Sequence, residues 1–125
     1  MLFFSKKILV VEDDISLRRA LSEKLHAEKY TVIEAGDGKE CLMKAMSERP
    51  DLILLDLMLP EMNGTEALAE LRADSITQKT PVIILSNLKE GEDLSERVRS
   101  LGISGYFEKA DTSLDTIIQK IHETL

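Results

Sequence analysis

Residues 52–56 read Leu-Ile-Leu-Leu-Asp, four consecutive apolar side chains that end on a single carboxylate. Two other stretches also have four apolar side chains followed by a polar one, residues 8–12 (Ile-Leu-Val-Val-Glu) and residues 82–86 (Val-Ile-Ile-Leu-Ser). A short apolar run without alternation is typical of a strand that is buried on both faces, as in a parallel sheet covered by helices. The three stretches therefore predict three buried strands of one parallel sheet.

The rest of the chain shows weaker sequence patterns for strands and helices. Residues 30–35 partly alternate, which suits an edge strand, and residues 103–108 form a shorter strand candidate. Apolar residues at helical spacing mark four stretches: 17–25, 65–73, 92–101 and 114–121. The chain thus alternates between strand and helix.

Local signals indicate where some of the helices begin and end. Asp37 with Glu40, and Thr112 with Asp115, resemble capping boxes, and Gly102 stands where a helix C-cap favours glycine. Five strand–helix units joined by right-handed crossovers predict an α/β fold, an open doubly wound sheet of five parallel strands with helices on both faces. We expect one domain over residues 1–125, because 125 residues suffice for one full core.

Composition excludes several classes of protein. Lys and Arg number 16 against 23 Asp and Glu, a net charge of -7, which argues against a nonspecific nucleic-acid surface. The single cysteine, Cys41, rules out an internal disulfide and fits a reducing compartment. The apolar stretch at residues 1–4 is too short for a membrane span. We therefore expect a cytoplasmic protein without membrane insertion.

Polar residues follow the predicted strands, and the carboxyl ends of parallel strands meet at one edge of the sheet. The residues expected at this edge are Glu12, Asp13, Asp14, Asp56, Ser86 and Lys109. Polar residues at strand ends are individually unremarkable, but crowded carboxylates repel one another and favour a bound cation. A cluster of oxygen donors without His or Cys suits a hard ion, and a site with room for water suits Mg²⁺ better than Ca²⁺.

Such a site has the parts needed for phosphoryl transfer, which depends on positioning and positive charge. Asp56 is the expected nucleophile because it stands alone at the end of an apolar run. Mg²⁺ and Lys109 would neutralise the phosphoryl oxygens, and Ser86 would donate a hydrogen bond to one of them. The product would be an aspartyl phosphate.

Five ordered motifs in this chain resemble the receiver domains of two-component response regulators, in particular single-domain regulators of the chemotaxis type. They are residues 10–14 (VVEDD), 50–56 (PDLILLD), 58–64 (MLPEMNG), 81–86 (PVIILS) and 105–109 (GYFEK). The resemblance covers nearly the whole chain. It implies a flavodoxin-like (βα)₅ fold with strand order 2-1-3-4-5, and a signalling module that catalyses only its own phosphorylation and dephosphorylation.

The resemblance also implies specific roles. Asp56 would accept a phosphoryl group from a histidine kinase or phosphotransfer protein. Mg²⁺ would be held by Asp13, Asp56, the main-chain oxygen of Met58 and, through water, Glu12, whereas Asp14 falls outside the acidic pair. Ser86 and Tyr106 would form a switch that alters residues 90–125, the last two helices and last strand. This surface would meet an effector or output domain, and it could also pair two copies of the chain.

Two positions depart from the family pattern. Ala110 replaces the usual proline after Lys109, which predicts a trans peptide bond there because a cis bond without proline costs about 2.5–4 kcal/mol. Asn87 replaces a small residue after Ser86 and either narrows access to the phosphoryl group or caps the next helix together with Glu90.

Two other functions stay open at this point. An aspartyl-phosphate phosphatase or transferase would need a second acid two residues after Asp56, and Met58 occupies that position. A pseudo-receiver would keep the fold for protein binding without phosphorylation.

Several remaining features predict structural roles. Residues 36–38 (Gly-Asp-Gly) suit a turn better than a dinucleotide site, and Cys41 suits packing. We expect His26 and His122 to face solvent, because no Cys or His stands at metal-ligand spacing from them. The basic residues Arg18, Arg19 and Lys24 suit a solvated helix face, which could also meet a kinase.

Overall fold

A computed structural model describes residues 5–87 and 96–125 of the chain. Its strands are β1 (Lys7–Val11), β2 (Thr31–Ala35), β3 (Leu52–Asp56), β4 (Val82–Ser86) and β5 (Gly105–Glu108). The helices of the described segments are α1 (Ile15–Ala27), α2 (Gly38–Glu48), α3 (Gly64–Ala73), α4 (Glu96–Leu101) and α5 (Leu114–Thr124). Strand and helix alternate from β1 to α5, as predicted.

The five strands form one parallel sheet in the order β2-β1-β3-β4-β5, which confirms the predicted fold class and strand order. β3 and β4 are buried along their whole length, whereas β2 at one edge is mostly half-buried or exposed. The order of the strands across the sheet reverses at β1, which lies between β2 and β3. Ligands of open α/β sheets bind at the carboxyl edge near such a reversal.

Each face of the sheet carries its own apolar core. On one face, side chains such as Leu9, Ile53 and Ile84 pack with residues of α2, α3 and α4. On the other face, side chains such as Ile8, Leu52 and Ile83 pack with residues of α1 and α5. Because neighbouring residues of a strand point to opposite faces, a strand covered on both sides must be apolar at every position. This explains the uninterrupted apolar runs.

Side-chain caps begin most of the helices. Asp37 accepts a hydrogen bond from the Glu40 amide at 2.8 Å, so the chain turns at Gly36 and Asp37, as predicted, and α2 begins at Gly38. The predicted start of α5 at Thr112 is wrong by one residue, because Ser113 caps it and accepts from the Thr116 amide at 3.2 Å. Ser113 has the extended backbone (φ -77°, ψ 155°) that aims its hydroxyl at the free amides of the first turn.

Gly102 ends α4 with φ of 83°, a left-handed conformation that favours glycine and agrees with its predicted C-cap role. The predicted helix at 92–101 is observed from Glu96, and residues 92–95 lie outside the described residues. The proposed cap of Asn87 with Glu90 also extends outside them.

The peptide bond between Lys109 and Ala110 is trans, as predicted, and no cis bond occurs in the described ranges. Within the same ranges, no helix combines the length and the apolar character that crossing a membrane requires.

Candidate functional site

The carboxyl edge of the sheet brings together side chains from three strands. Asp56 is the last residue of β3, Glu12 directly follows β1, and Lys109 directly follows β5. Backbone hydrogen bonds extend the pairing beyond the strand ends, from the Glu12 amide to Ala35 O at 3.0 Å and from the Lys109 amide to Ser86 O at 2.9 Å. The backbone hydrogen bonds between the strands therefore fix where these residues leave the sheet.

Lys109 bridges two buried carboxylates. Its Nζ lies 2.7 Å from Asp56 Oδ2 and 2.5 Å from Glu12 Oε1. The carboxylates are 2% and 1% exposed, so water screens this charge contact only weakly. Burial disfavours the charged ammonium, but its hydrogen bonds to Asp56 and Glu12 outweigh burial and raise the pKa of Lys109.

Glu12 is the acid most affected by its surroundings. Burial, reinforced by the nearby Asp56 charge, raises the pKa of Glu12 to about 7, although Lys109 and the Asp14 amide oppose this shift. The Asp14 amide donates to Glu12 Oε2 at 3.0 Å. Asp14 itself is exposed and caps α1 by accepting from the Leu17 amide at 3.1 Å. It therefore shapes the loop after β1.

Glu12, Asp13 and Asp56 form a compact acid cluster. One carboxylate oxygen from each of the three lies within 4.8 Å of the other two. When its carboxylates are ionised, this cluster carries more negative charge than Lys109 alone balances, and a divalent ion would offset the excess. The donor set is all oxygen, as a hard cation prefers, and the exposure of Asp13 leaves room for water ligands. The residues therefore fit Mg²⁺.

The loop after β3 packs closely on Asp56. The Met58 amide donates to Asp56 Oδ1 at 2.9 Å, and the Gly64 amide donates to Leu57 O at 2.9 Å. A Cβ atom added to Gly64 would overlap the Asp56 carbonyl oxygen and Leu57 Cα. Gly64 is thus a site-shaping residue whose role the sequence alone did not reveal, although it ends the motif at residues 58–64.

Ser86 and Tyr106 lie on the neighbouring strands. Ser86 is fully buried at the end of β4, and its Oγ has no hydrogen-bond partner in the described part of the chain. Tyr106 is half-buried on β5, opposite Ile84, and packs against the core on the α2–α4 face. Ser86 therefore ends β4 at the carboxyl edge of the sheet, and Tyr106 lies on β5 two residues before Glu108, the residue paired with Ser86.

The prediction for one basic surface residue is wrong. Arg18 was expected to be solvated, but its Nη1 donates to Glu12 O at 2.8 Å and its Nε to Glu34 Oε1 at 3.1 Å. His122 is exposed, as predicted, and its Nδ1 lies 2.6 Å from the Tyr30 hydroxyl. Cys41 is buried as predicted, and burial raises its thiol pKa to about 12.

Comparison with known proteins agrees with this geometry. Residues 8–122 match the family model of the response regulator receiver domain. The chain is 40% identical over 106 residues to the probable transcriptional regulator ycf27 of Porphyridium aerugineum, covering 83% of this chain and 42% of that protein. It is 33% identical over 113 residues to the transcriptional regulatory protein PdtaR of Mycobacterium tuberculosis, covering 90% and 53% respectively.

Among solved structures, the chemotaxis response regulator CheY4 of Vibrio cholerae superposes with a TM-score of 0.88 and 30% identity, covering 98% of this chain and 100% of that one. The Francisella response regulator 1452 receiver domain gives a TM-score of 0.84 and 31% identity, over 95% of each chain. The chain spans about half or less of the length of the curated relatives it matches.

Proposed function

This chain belongs to the response regulator receiver family, and we propose that it accepts a phosphoryl group on Asp56. The observation that carries the proposal is the setting of this carboxylate. It is 2% exposed, its Oδ1 accepts from the Met58 amide, and its Oδ2 contacts Lys109. A single oriented carboxylate beside a cation is the arrangement that a phosphoacceptor needs.

The donor is the phosphohistidine of a histidine kinase or a phosphotransfer protein. An Asp56 oxygen forms the new bond to phosphorus while the bond from phosphorus to the imidazole nitrogen breaks, and the imidazole leaves. Lys109 then neutralises charge on the phosphoryl oxygens instead of on the free carboxylate. Water later hydrolyses the acyl phosphate, so the domain catalyses only its own phosphorylation and dephosphorylation.

The acid cluster would hold the Mg²⁺ ion that this transfer requires. We assign Asp13, Asp56 and the main-chain oxygen of Met58 as Mg²⁺ ligands, with Glu12 contributing through water. Bound Mg²⁺ supplies the positive charge that offsets the phosphoryl oxygens. The close oxygen atoms of Glu12, Asp13 and Asp56 support this assignment.

The conformational response starts at Ser86. Its Oγ is fully buried without a partner in the described residues, so it is free to donate to a phosphoryl oxygen on Asp56. Movement of Ser86 toward the phosphoryl group gives Tyr106 space to turn inward. This turn shifts the equilibrium between two arrangements of α4, β5 and α5. This surface meets an effector or output domain, and pairing of two copies through it is a second expected use.

Incubation with Mg²⁺ and acetyl phosphate tests the proposal. We expect one added phosphoryl mass on the wild-type protein and none on Asp56→Asn, with chelation of Mg²⁺ also preventing the modification. Asp111→Asn is the matched control because Asp111 is an exposed aspartate after β5, and it should be modified like wild type. An adduct on Asp56→Asn would contradict the assignment, and no adduct on any variant would favour a pseudo-receiver.

A further inference from the structure

Arg18 is the one basic side chain of α1 that reaches the backbone of the acid cluster in the described structure. Its Nη1 donates to Glu12 O at 2.8 Å, and its Nε lies 3.1 Å from Glu34 Oε1 on the edge strand β2. We infer that Arg18 is a positioning residue that holds the metal ligand Asp13 in place through the peptide group between Glu12 and Asp13. This inference rests on the proposed function.

The contact acts on the peptide that carries Asp13. The Glu12 carbonyl and the Asp13 amide belong to one planar unit, so fixing the carbonyl oxygen also fixes the direction in which Asp13 leaves the strand. Asp13 is exposed, so packing against neighbouring side chains restrains its carboxylate little. Its position therefore depends on how the backbone on either side is held.

Hydrogen bonds hold that backbone at three successive points. The Glu12 amide donates to Ala35 O at 3.0 Å, and the Asp14 amide donates to Glu12 Oε2 at 3.0 Å. Between them, the Glu12 carbonyl accepts from Arg18. Arg18 thus restrains the middle of the segment, next to the peptide nitrogen of Asp13.

Only arginine supplies both contacts with one rigid group. The planar guanidinium has donors in fixed directions, whereas lysine has a single ammonium on a flexible chain. Glu34 orients the guanidinium from the β2 side, and its side chain is 47% exposed against 22% for Arg18. Because the ion pair is half-exposed, it contributes little to the stability of the fold, and its main effect is to orient Nη1.

Gly36 leaves the space that the guanidinium occupies. A Cβ atom added at Gly36 would lie 3.2 Å from Arg18 Nη1, closer than ordinary van der Waals contact. A side chain at position 36 would therefore require Nη1 to shift, which would disturb its hydrogen bond to the Glu12 carbonyl while keeping the charge of Arg18. Substitution of either Gly36 or Arg18 would therefore affect the same hydrogen bond, the one from Arg18 Nη1 to the Glu12 carbonyl.

Binding of Mg²⁺ by the full chain tests this inference. We compare wild type with Arg18→Gln, Arg18→Lys, Gly36→Ala and Arg19→Gln by calorimetric titration and by amide NMR spectra. Arg19 lies on the same helix and is exposed, so Arg19→Gln controls for the loss of one positive charge. All variants are measured under conditions where their far-UV circular dichroism matches that of wild type.

We expect Arg18→Gln to weaken Mg²⁺ binding about tenfold, in the range seen when groups that orient metal ligands are removed. Arg18→Lys and Gly36→Ala should weaken it less, and Arg19→Gln should match wild type. In the metal-free protein, the Asp13 amide resonance should shift in Arg18→Gln and Gly36→Ala but not in Arg19→Gln.

The outcomes separate the two proposals. If wild type binds Mg²⁺ and Arg18→Gln binds it equally well, the inference about Arg18 is wrong while the proposed function stands. If Arg18→Gln and Arg19→Gln weaken binding equally, the effect is not specific to the Arg18 contact and the positioning role is wrong, because the loss of a positive charge alone would strengthen Mg²⁺ binding. If wild type itself binds no Mg²⁺, both the proposed function and the role of Arg18 are wrong.

Discussion

At the scale of single residues, Lys109 is the cation that two buried carboxylates share. Replacing it by methionine keeps much of the side-chain volume but leaves Glu12 and Asp56 without their counter-charge. Removing one partner of a buried ion pair costs about 3–5 kcal/mol. We expect Lys109→Met to lower the free energy of unfolding of the metal-free protein by about 3 kcal/mol, measured by urea denaturation.

Lys24 offers a matched control because it also pairs with an aspartate. Its Nζ lies 2.7 Å from Asp115, but the two side chains are 45% and 85% exposed. Exposed pairs contribute about 0–1 kcal/mol, so Lys24→Met should have a small effect. Equal losses in Lys24→Met and Lys109→Met would contradict the buried bridge, and Mg²⁺ should restore part of the loss only in Lys109→Met.

Glu12 gives the metal-free protein a pH dependence of definite sign. Its pKa rises from 4.5 to about 7 on folding, so between these values the folded state retains a proton that the unfolded state releases. The contribution of Glu12 to stability is therefore most favourable below pH 4.5 and is lost as pH rises toward 7.

We expect the free energy of unfolding of the wild type to fall, relative to Glu12→Gln, as pH rises through this window. Urea denaturation of both proteins at about pH 5 and about pH 7.5 in the presence of a chelator measures the difference. Parallel pH profiles for wild type and Glu12→Gln would show that folding leaves the Glu12 pKa unchanged.

The positions of the site residues were predictable where the sequence places a polar group at a strand end. Glu12, Asp56, Ser86 and Lys109 could be placed this way because parallel strands bring their carboxyl ends to one edge. The partners of Arg18 could not be predicted, because they are a backbone carbonyl and a side chain on another element. The spacing of residue types along α1 does not indicate such contacts.

At the scale of elements, helix α3 starts directly against the strand that carries Asp56. A Cβ atom at Gly64 would overlap the backbone of Asp56 and Leu57, which cannot move without distorting the site. We expect Gly64→Ala to destabilise the protein by about 1–3 kcal/mol, the usual cost of overpacking, measured by thermal or urea unfolding.

Gly105 in β5 is the control for this substitution. A Cβ atom there would meet Lys120 Cε at 3.1 Å, the far part of a flexible side chain that can turn away. Gly105→Ala should therefore cost much less than Gly64→Ala. If both substitutions have the same small effect, α3 does not pack on the Asp56 backbone as closely as described.

The elements themselves were largely predictable, whereas some of their ends were not. Uninterrupted apolar runs identified β1, β3 and β4 because burial on both faces leaves no room for polar side chains. The start of α5 was misplaced because Thr112 and Ser113 both offer a capping hydroxyl. Backbone conformation, which the sequence does not state, decides in favour of Ser113.

At the scale of the whole molecule, two apolar cores flank the sheet and leave the carboxyl edge for chemistry. The core beneath α1 and α5 is accompanied by polar contacts between residues far apart in the chain, from Lys24 to Asp115 and from Tyr30 to His122. Such long-range contacts depend on the assembled fold and carry no local sequence signal. They join the first helix, and the residue that precedes the second strand, to the last helix.

The central claim is that Asp56 is the phosphoacceptor. Borohydride reduces an acyl phosphate to an alcohol, so a phosphorylated aspartate becomes homoserine and can be located by peptide mass spectrometry. After treatment of the wild-type protein with Mg²⁺ and acetyl phosphate, we predict homoserine at position 56 and at no other aspartate. Homoserine at another position, or none anywhere after a phosphoryl mass has been gained, would contradict the account.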